Sequence, residues 1–151
     1  MIYLEIDEEF PQKVDQAKLT RAAGTALEHS GKSPEADLTL VITGDDRVQQ
    51  LNRAYLGVDA PTDVLSFPDG SIDPDTGQPY LGDILISFPR AEAQARAGGH
   101  TILEEMQLLV VHGVLHLLGH DHAEPGEKER MWALQSKILS ALGISIDIPA
   151  E

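Results

Sequence analysis

Four of the six histidines of this chain lie within eleven residues, in the segment H-G-V-L-H-L-L-G-H-D-H at positions 112–122. His112 and His116 are four residues apart, so on an α-helix their side chains share one face, about 6 Å from each other. Gly119 can adopt the left-handed conformation that ends a helix, and the chain can then return His122 to the same point. The spacing predicts a metal site with His112, His116 and His122 as ligands.

Hydrophobic residues surround His112 and His116 along the sequence, which predicts a buried helix. Histidines on such a helix can be structural, but buried imidazoles need hydrogen-bond partners or a metal. Neutral imidazole suits zinc, copper, iron and nickel, and a chain without cysteine lacks the ligands of thiolate-rich structural zinc sites. Three protein ligands leave one tetrahedral position for water, as in catalytic zinc sites. We therefore expect one Zn²⁺ ion and hydrolysis by metal-activated water.

Several polar residues follow the helix and have more than one interpretation. His120 lies in the predicted turn, where it is a substrate-facing group, a group that contacts a ligand histidine, or simply exposed. Asp121, or an acidic residue between Glu124 and Glu129, could orient a ligand histidine through its second ring nitrogen. Carboxylates also gather at helix N-termini because the helix dipole favours them there, and this explains the acidic residues after position 123 equally well.

The pattern H-x-x-x-H-x-x-G-x-x-H is also the zinc-binding spacing of metzincin proteases, which carry a glutamate as general base directly after the first histidine. Gly113 occupies that position here. A group of this kind contributes typically about 10²- to 10⁴-fold to the rate. The pattern therefore favours a different substrate, and a metzincin-like zinc peptidase without the usual glutamate stays an alternative.

The composition fits a single domain over residues 1–151, because 151 residues with 42% hydrophobic content are enough to bury one core. The net charge of −14 opposes the basic surface that nucleic-acid binding usually needs, so such a partner would have to meet a local cluster. The first residues do not resemble a secretion signal, and no apolar run is long enough to span a membrane. We expect a cytoplasmic protein with no membrane partner.

Hydrophobic periodicity predicts an α+β fold, with one mixed sheet of about four strands and about five helices on its faces. Thr101 and Glu104 form a capping box at the start of the histidine helix. Gly57 is expected to end an earlier helix. The predicted strands are 2–6, 37–43, 63–67 and 82–88, and the other predicted helices are 11–29, 45–55, 90–97 and 127–142.

Four segments together resemble the bacterial YbeY family, over roughly residues 38–142. They are L-N-R-A-Y at 51–55, P-T-D-V-L-S-F at 61–67, L-G-D-I-L-I-S at 81–87 and the histidine segment. The resemblance implies a zinc-dependent, single-strand-specific endoribonuclease that matures ribosomal RNA, notably the 3′ end of the small-subunit RNA, and acts in ribosome quality control. It implies single-stranded RNA and the small ribosomal subunit as partners, with no DNA, and the matching metal ligands are His112, His116 and His122.

The chain departs from the family at three positions. Many members have basic residues where this chain has Leu56, Val58 and Ala60, so three phosphate-facing charges are missing. Arg53 precedes Leu56 by three residues and shares its helix face, so it is a candidate substrate-binding residue through bidentate phosphate pairing. The alternative is a solvated helix arginine.

Further site residues are suggested by the same resemblance. His120, where a tyrosine is common, is a candidate catalytic residue that could give a proton to the leaving oxygen. Asp63, Ser66 and Asp83 could line the same cleft, although turn and strand chemistry explains them better. A non-catalytic ribosome assembly factor, whose zinc only stabilises the fold, is a further alternative.

Overall fold

The computed structural model describes residues 1–10, 14–31, 36–119 and 125–146. Within these ranges the chain forms four strands and five α-helices, which confirms the predicted α+β class. The strands are β1 (Ile2–Ile6), β2 (Asp37–Thr43), β3 (Val64–Pro68) and β4 (Tyr80–Ser87). The helices are α1 (Gln16–His29), α2 (Asp45–Leu51), α3 (Phe88–Gly98), α4 (Ile102–Leu117) and α5 (Pro125–Ala141).

The four strands form one mixed sheet in the order β1-β2-β4-β3. Strands β1, β2 and β4 are parallel, and β3 runs antiparallel to β4 at the edge. Because side chains alternate along a strand, Ile84 and Ile86 of β4 point to one face of the sheet and Leu85 points to the other. The sheet therefore separates two layers of packing.

The larger core lies on the face that carries α1, α4 and α5, and α4 contributes more buried residues to it than any other helix among the described residues. The opposite face carries a smaller cluster of Val41, Val48, Leu65 and Leu85, in which Val48 comes from α2. No helix in the described ranges is long and apolar enough to cross a membrane. The buried residues of the histidine helix α4 make it a core helix, as its sequence predicts.

The main difference from the sequence prediction lies at the junction of β4 and α3. The strand ends at Ser87, whose hydroxyl accepts a hydrogen bond from the backbone N–H of Arg90 at 3.4 Å. Phe88, predicted in the strand, is the first residue of the helix, and Pro89 follows in its first turn. Ser87 thus acts as the N-cap, and proline is well suited to a first turn because its N–H would have no helical partner there.

Other boundaries shift by a few residues. Helix α1 begins at Gln16 after the N-cap Asp15, whereas the prediction began at residue 11, and residues 11–13 lie outside the described ranges. Helix α5 begins at residue 125 rather than 127, and β4 begins at Tyr80 rather than at residue 82. The predicted helix 45–55 is α2 followed by a π-helical turn, Asn52–Leu56. The predicted stop at Gly57 is confirmed, with φ of 72°.

Candidate metal centre

The histidine helix α4 begins with the capping box that the sequence predicts. The Thr101 hydroxyl accepts from the backbone N–H of Glu104 at 3.1 Å, and the Glu104 carboxylate accepts from the backbone N–H of Thr101 at 3.0 Å. The Thr101 hydroxyl also donates to the Glu104 carboxylate at 3.0 Å, and the two hydrogen bonds that this carboxylate accepts hold the pKa of Glu104 below its usual range. The start of the helix is thus fixed eleven residues before the first histidine of the site.

Gly113 brings α4 close to the sheet. A Cβ atom at this position would lie 2.6 Å from Cγ2 of Ile84, which is closer than real Cβ atoms approach. The Ser66 hydroxyl of β3 also donates to the carbonyl oxygen of Gly113 at 3.0 Å. Gly113 is therefore explained by helix-to-sheet packing, and a glutamate at this position would point into the sheet rather than into solvent.

His112 and His116 lie in the last two turns of α4, and their half-buried rings face each other. The two Nε2 atoms are 3.0 Å apart, and the ring centroids are separated by 4.6 Å with the planes at 64°. Two imidazole nitrogens bound at about 2.05 Å to one tetrahedral ion would lie about 3.3 Å apart. The pair therefore fits one shared cation. His112 and His116, two of the three predicted ligands, would both bind it through Nε2.

The remaining predicted ligand, His122, lies outside the described residues, as do the candidate catalytic residue His120 and the possible orienting residues Asp121 and Glu124. In the described ranges no group of three His, Cys, Asp or Glu side chains could hold a metal ion. The three-histidine ligand set and the role of His120 thus stay predictions.

The end of α4 has the geometry expected from its glycine. Gly119 has φ of 92°, in the left-handed region that favours glycine. The backbone N–H groups of Leu118 and Gly119 donate to the carbonyl oxygens of Val114 and His116 at 3.1 and 3.0 Å. The helix therefore ends directly after the histidine pair.

Gln135 of α5 is a site residue that the sequence interpretation missed. Its side-chain oxygen lies 2.9 Å from Nδ1 of His112, the ring nitrogen that faces away from His116. The sequence predicted that an acidic residue, either Asp121 or one between Glu124 and Glu129, would orient the ligand histidine. Of these, Glu127 and Glu129 are exposed near the start of α5. A glutamine nineteen residues after His116 has no local sequence signal, although its place among the apolar residues of one helix face could have indicated a buried polar contact.

Among the described residues, no hydrogen bond or ion pair joins Arg53 to the histidine pair, so its role as a substrate-binding residue stays a prediction. Arg53 lies exposed in the π-helical turn after α2, and its guanidinium makes no hydrogen bond or ion pair with the described residues. This turn and α2 cover the face of the sheet opposite to α4. Leu56 and Val58 are 56% and 49% exposed in the same region, and Ala60 accepts a hydrogen bond from the side chain of Asn52 through its carbonyl oxygen.

Asp63 and Asp83 contact other parts of the structure. The Asp63 carboxylate accepts from the backbone N–H of Val64, the first residue of β3, at 2.8 Å, and from the side chain of Gln94 of α3 at 3.3 Å. Asp83 accepts from the hydroxyl of Tyr80, and burial raises the pKa of Tyr80 to about 12. Asp83 lines a groove of about 710 Å³ on the sheet face that carries α2. Of the three cleft candidates, Ser66 is the one for which the described residues show a hydrogen bond to the histidine helix.

The fold and the histidine pair define an α+β domain with a candidate metal centre at the carboxyl end of its most buried helix. Comparison with known proteins gives this domain a family. The family model described as Endoribonuclease YbeY matches residues 4–143. The chain is 40% identical to the endoribonuclease YbeY of Salinispora tropica over 148 residues, covering 91% of this chain and 94% of that protein.

Other relatives agree. The endoribonuclease YbeY of Roseiflexus sp. strain RS-1 is 44% identical over 138 residues, which cover 87% of this chain and 86% of that protein. The solution structure of TM1509 from Thermotoga maritima is similar with a TM-score of 0.60 and 28% identity, over 94% of this chain and 89% of that one. The chain belongs to the endoribonuclease YbeY family, which is a family of nuclease hydrolases.

Proposed function

We propose that this chain is a zinc-dependent endoribonuclease that cuts single-stranded ribosomal RNA. The proposal includes maturation of the 3′ end of the small-subunit RNA, a part in ribosome quality control, and a cytoplasmic location with the small ribosomal subunit as partner. Family membership supports the nuclease class. The observation that supports a bound metal ion is the pair of facing Nε2 atoms of His112 and His116.

In this proposal His112, His116 and His122 hold one zinc ion. When bound, the ion supplies a Lewis acid that activates water and stabilises negative charge on a phosphodiester oxygen. The carboxyl end of α4 favours a cation beside its last turn, because the helix dipole is negative there. His120 would give a proton to the leaving oxygen, and Arg53 would pair with a backbone phosphate of the RNA.

The peptidase alternative lacks a supporting observation. A metzincin-like mechanism needs a carboxylate next to the first histidine, and at that position Gly113 packs against Ile84 without room for a side chain. The packing leaves the metal pair intact and removes the place for the protease base. This arrangement agrees with the nuclease class of the family.

The proposal is tested by an RNA cleavage assay combined with a metal assay. Purified protein is measured for bound metal and incubated with end-labelled single-stranded and double-stranded RNA, with and without a chelator. We expect cleavage of the single strand, loss of cleavage on chelation and recovery on adding Zn²⁺. His116→Ala should abolish cleavage and lower the bound metal. His29→Ala, which removes an exposed histidine of α1, is the matched control and should change neither.

Two results would contradict the proposal. Cleavage that survives chelation and persists in His116→Ala would mean that the activity does not use this site. A protein that binds zinc at the histidines but cleaves no RNA would support the assembly-factor alternative.

A further inference from the structure

Gln135 is a buried amide on an apolar helix face. It is only 2% exposed, and Met131 and Ile138, which lie four residues before and three after it on the same face of α5, are fully buried. A buried polar group without a hydrogen-bond partner destabilises the folded protein. The partner that the structure gives its oxygen is Nδ1 of His112, at 2.9 Å.

This contact determines which nitrogen of His112 carries the proton. An amide oxygen only accepts hydrogen bonds, so Nδ1 must be the donor. A neutral imidazole carries one ring proton, and Nε2 of His112 therefore presents its lone pair. That lone pair lies on the side of His116, whose Nε2 is 3.0 Å away.

We infer that Gln135 is a positioning residue that holds His112 in the Nδ1–H tautomer, with Nε2 ready to bind a metal ion. The inference rests on the proposed zinc site. If the amide were reversed, its NH₂ group would donate to Nδ1, the proton would sit on Nε2, and His112 could not bind through that atom. The side-chain oxygen of Gln135 therefore both orients the ring and keeps the binding nitrogen free of a proton.

Two substitutions separate the hydrogen bond from the packing. Gln135→Met keeps the length of the side chain and removes the acceptor, whereas Gln135→Glu keeps an acceptor. The matched control is Gln107→Met, which replaces a second buried glutamine that lies on α4 instead of α5. Gln107 lies five residues before His112, about 140° away around the helix, so its loss leaves the His112 contact in place.

The first measurement is the tautomer of His112 in metal-free protein. Two-bond ¹H–¹⁵N spectra of histidine-labelled protein at about pH 8, above the ordinary histidine pKa of about 6.5, identify the protonated nitrogen. We expect the Nδ1–H form in the wild type, Gln107→Met and Gln135→Glu. In Gln135→Met the Nε2–H form should become populated.

The second measurement is zinc affinity, determined by competition with a coloured chelator. Loss of a residue that orients a metal ligand typically costs about 10- to 100-fold in affinity. We expect this loss in Gln135→Met, recovery to within about threefold of the wild type in Gln135→Glu, and no change in Gln107→Met. A purely structural role would lower the unfolding midpoint in Gln135→Met without changing the tautomer.

The inference is overturned if wild-type His112 carries its proton on Nε2, or if Gln135→Met binds zinc as tightly as Gln107→Met. The wild-type spectrum decides the tautomer even if Gln135→Met does not fold. Failure of the proposed function has a different signature, because a wild type that binds no zinc but shows the Nδ1–H tautomer would contradict the zinc site and leave the Gln135 contact confirmed.

Discussion

Replacing Gly113 with alanine should reveal how closely α4 lies against the sheet. The new methyl group would sit 2.6 Å from Cγ2 of the buried Ile84, so the helix or the isoleucine must move. Overpacking of this kind costs about 1–3 kcal/mol. Alanine also favours a helix interior over glycine by about 1 kcal/mol, which offsets part of that cost.

Gly24 provides a matched control because it is also a helix-interior glycine, in α1, with nothing within 4 Å of the position of its missing Cβ. Gly24→Ala should therefore stabilise the protein by about 0.5–1 kcal/mol. The propensity gain is common to both variants and cancels in their difference. We expect Gly113→Ala to be less stable than Gly24→Ala by about 1–3 kcal/mol, from the packing alone.

Urea unfolding followed by far-UV circular dichroism, with chelator present, measures both free energies of unfolding. Equal slopes against urea concentration would show that the variants expose similar surface on unfolding. The reasoning is refuted if the two variants differ by less than about 0.5 kcal/mol, because the observed contact with Ile84 would then have no energetic consequence.

Three further predictions concern other positions. Gly82→Ala should destabilise by about 3 kcal/mol or more in urea unfolding, because φ is 139° and a Cβ atom would collide with the backbone oxygen of Phe67. Glu104→Gln should cost about 0.5 kcal/mol at pH 7. Because the pKa of Glu104 is lowered in the fold, its contribution is present above its ordinary pKa and is lost as the pH falls through the lowered value, so the gap to the wild type should close towards pH 3 in pH-dependent unfolding. Arg53→Ala should weaken single-stranded RNA binding and lower its salt slope by about one in titrations, while Arg21→Ala, at an exposed arginine of α1, should not; equal effects would remove Arg53 from the RNA site.

The features that depend on local spacing could be predicted from the sequence. The period of the apolar residues located the four strands and five α-helices found in the described ranges, and the Thr101–Glu104 pair gave the start of α4 correctly. The spacing of His112 and His116 also indicated that their rings share one face, and the structure places them in contact.

Features that depend on distant contacts could not be predicted. In the sequence, Gly113 shows only that the glutamate base of the metzincins is absent. Its role in packing becomes clear only from its short distance to Ile84. Gln135 meets His112 only because α5 packs on α4, and nothing near it in the sequence signals this. The sequence also does not show on which face of the sheet Arg53 lies. That face depends on the side on which the chain crosses the sheet, and the helical pattern around Arg53 does not determine this side.

The histidine pair spans the last two turns of α4, with His116 in the final turn, so the candidate centre depends on the integrity of that final turn. The hydrogen bonds to the carbonyl oxygens of Val114 and His116 close the helix there, and the negative end of the dipole acts only within the last turn. If this one turn frayed, the two rings would separate, and the favourable electric field of the helix dipole would be lost at the same time. Cation binding should therefore disappear cooperatively, at or before global unfolding, rather than weaken by degrees.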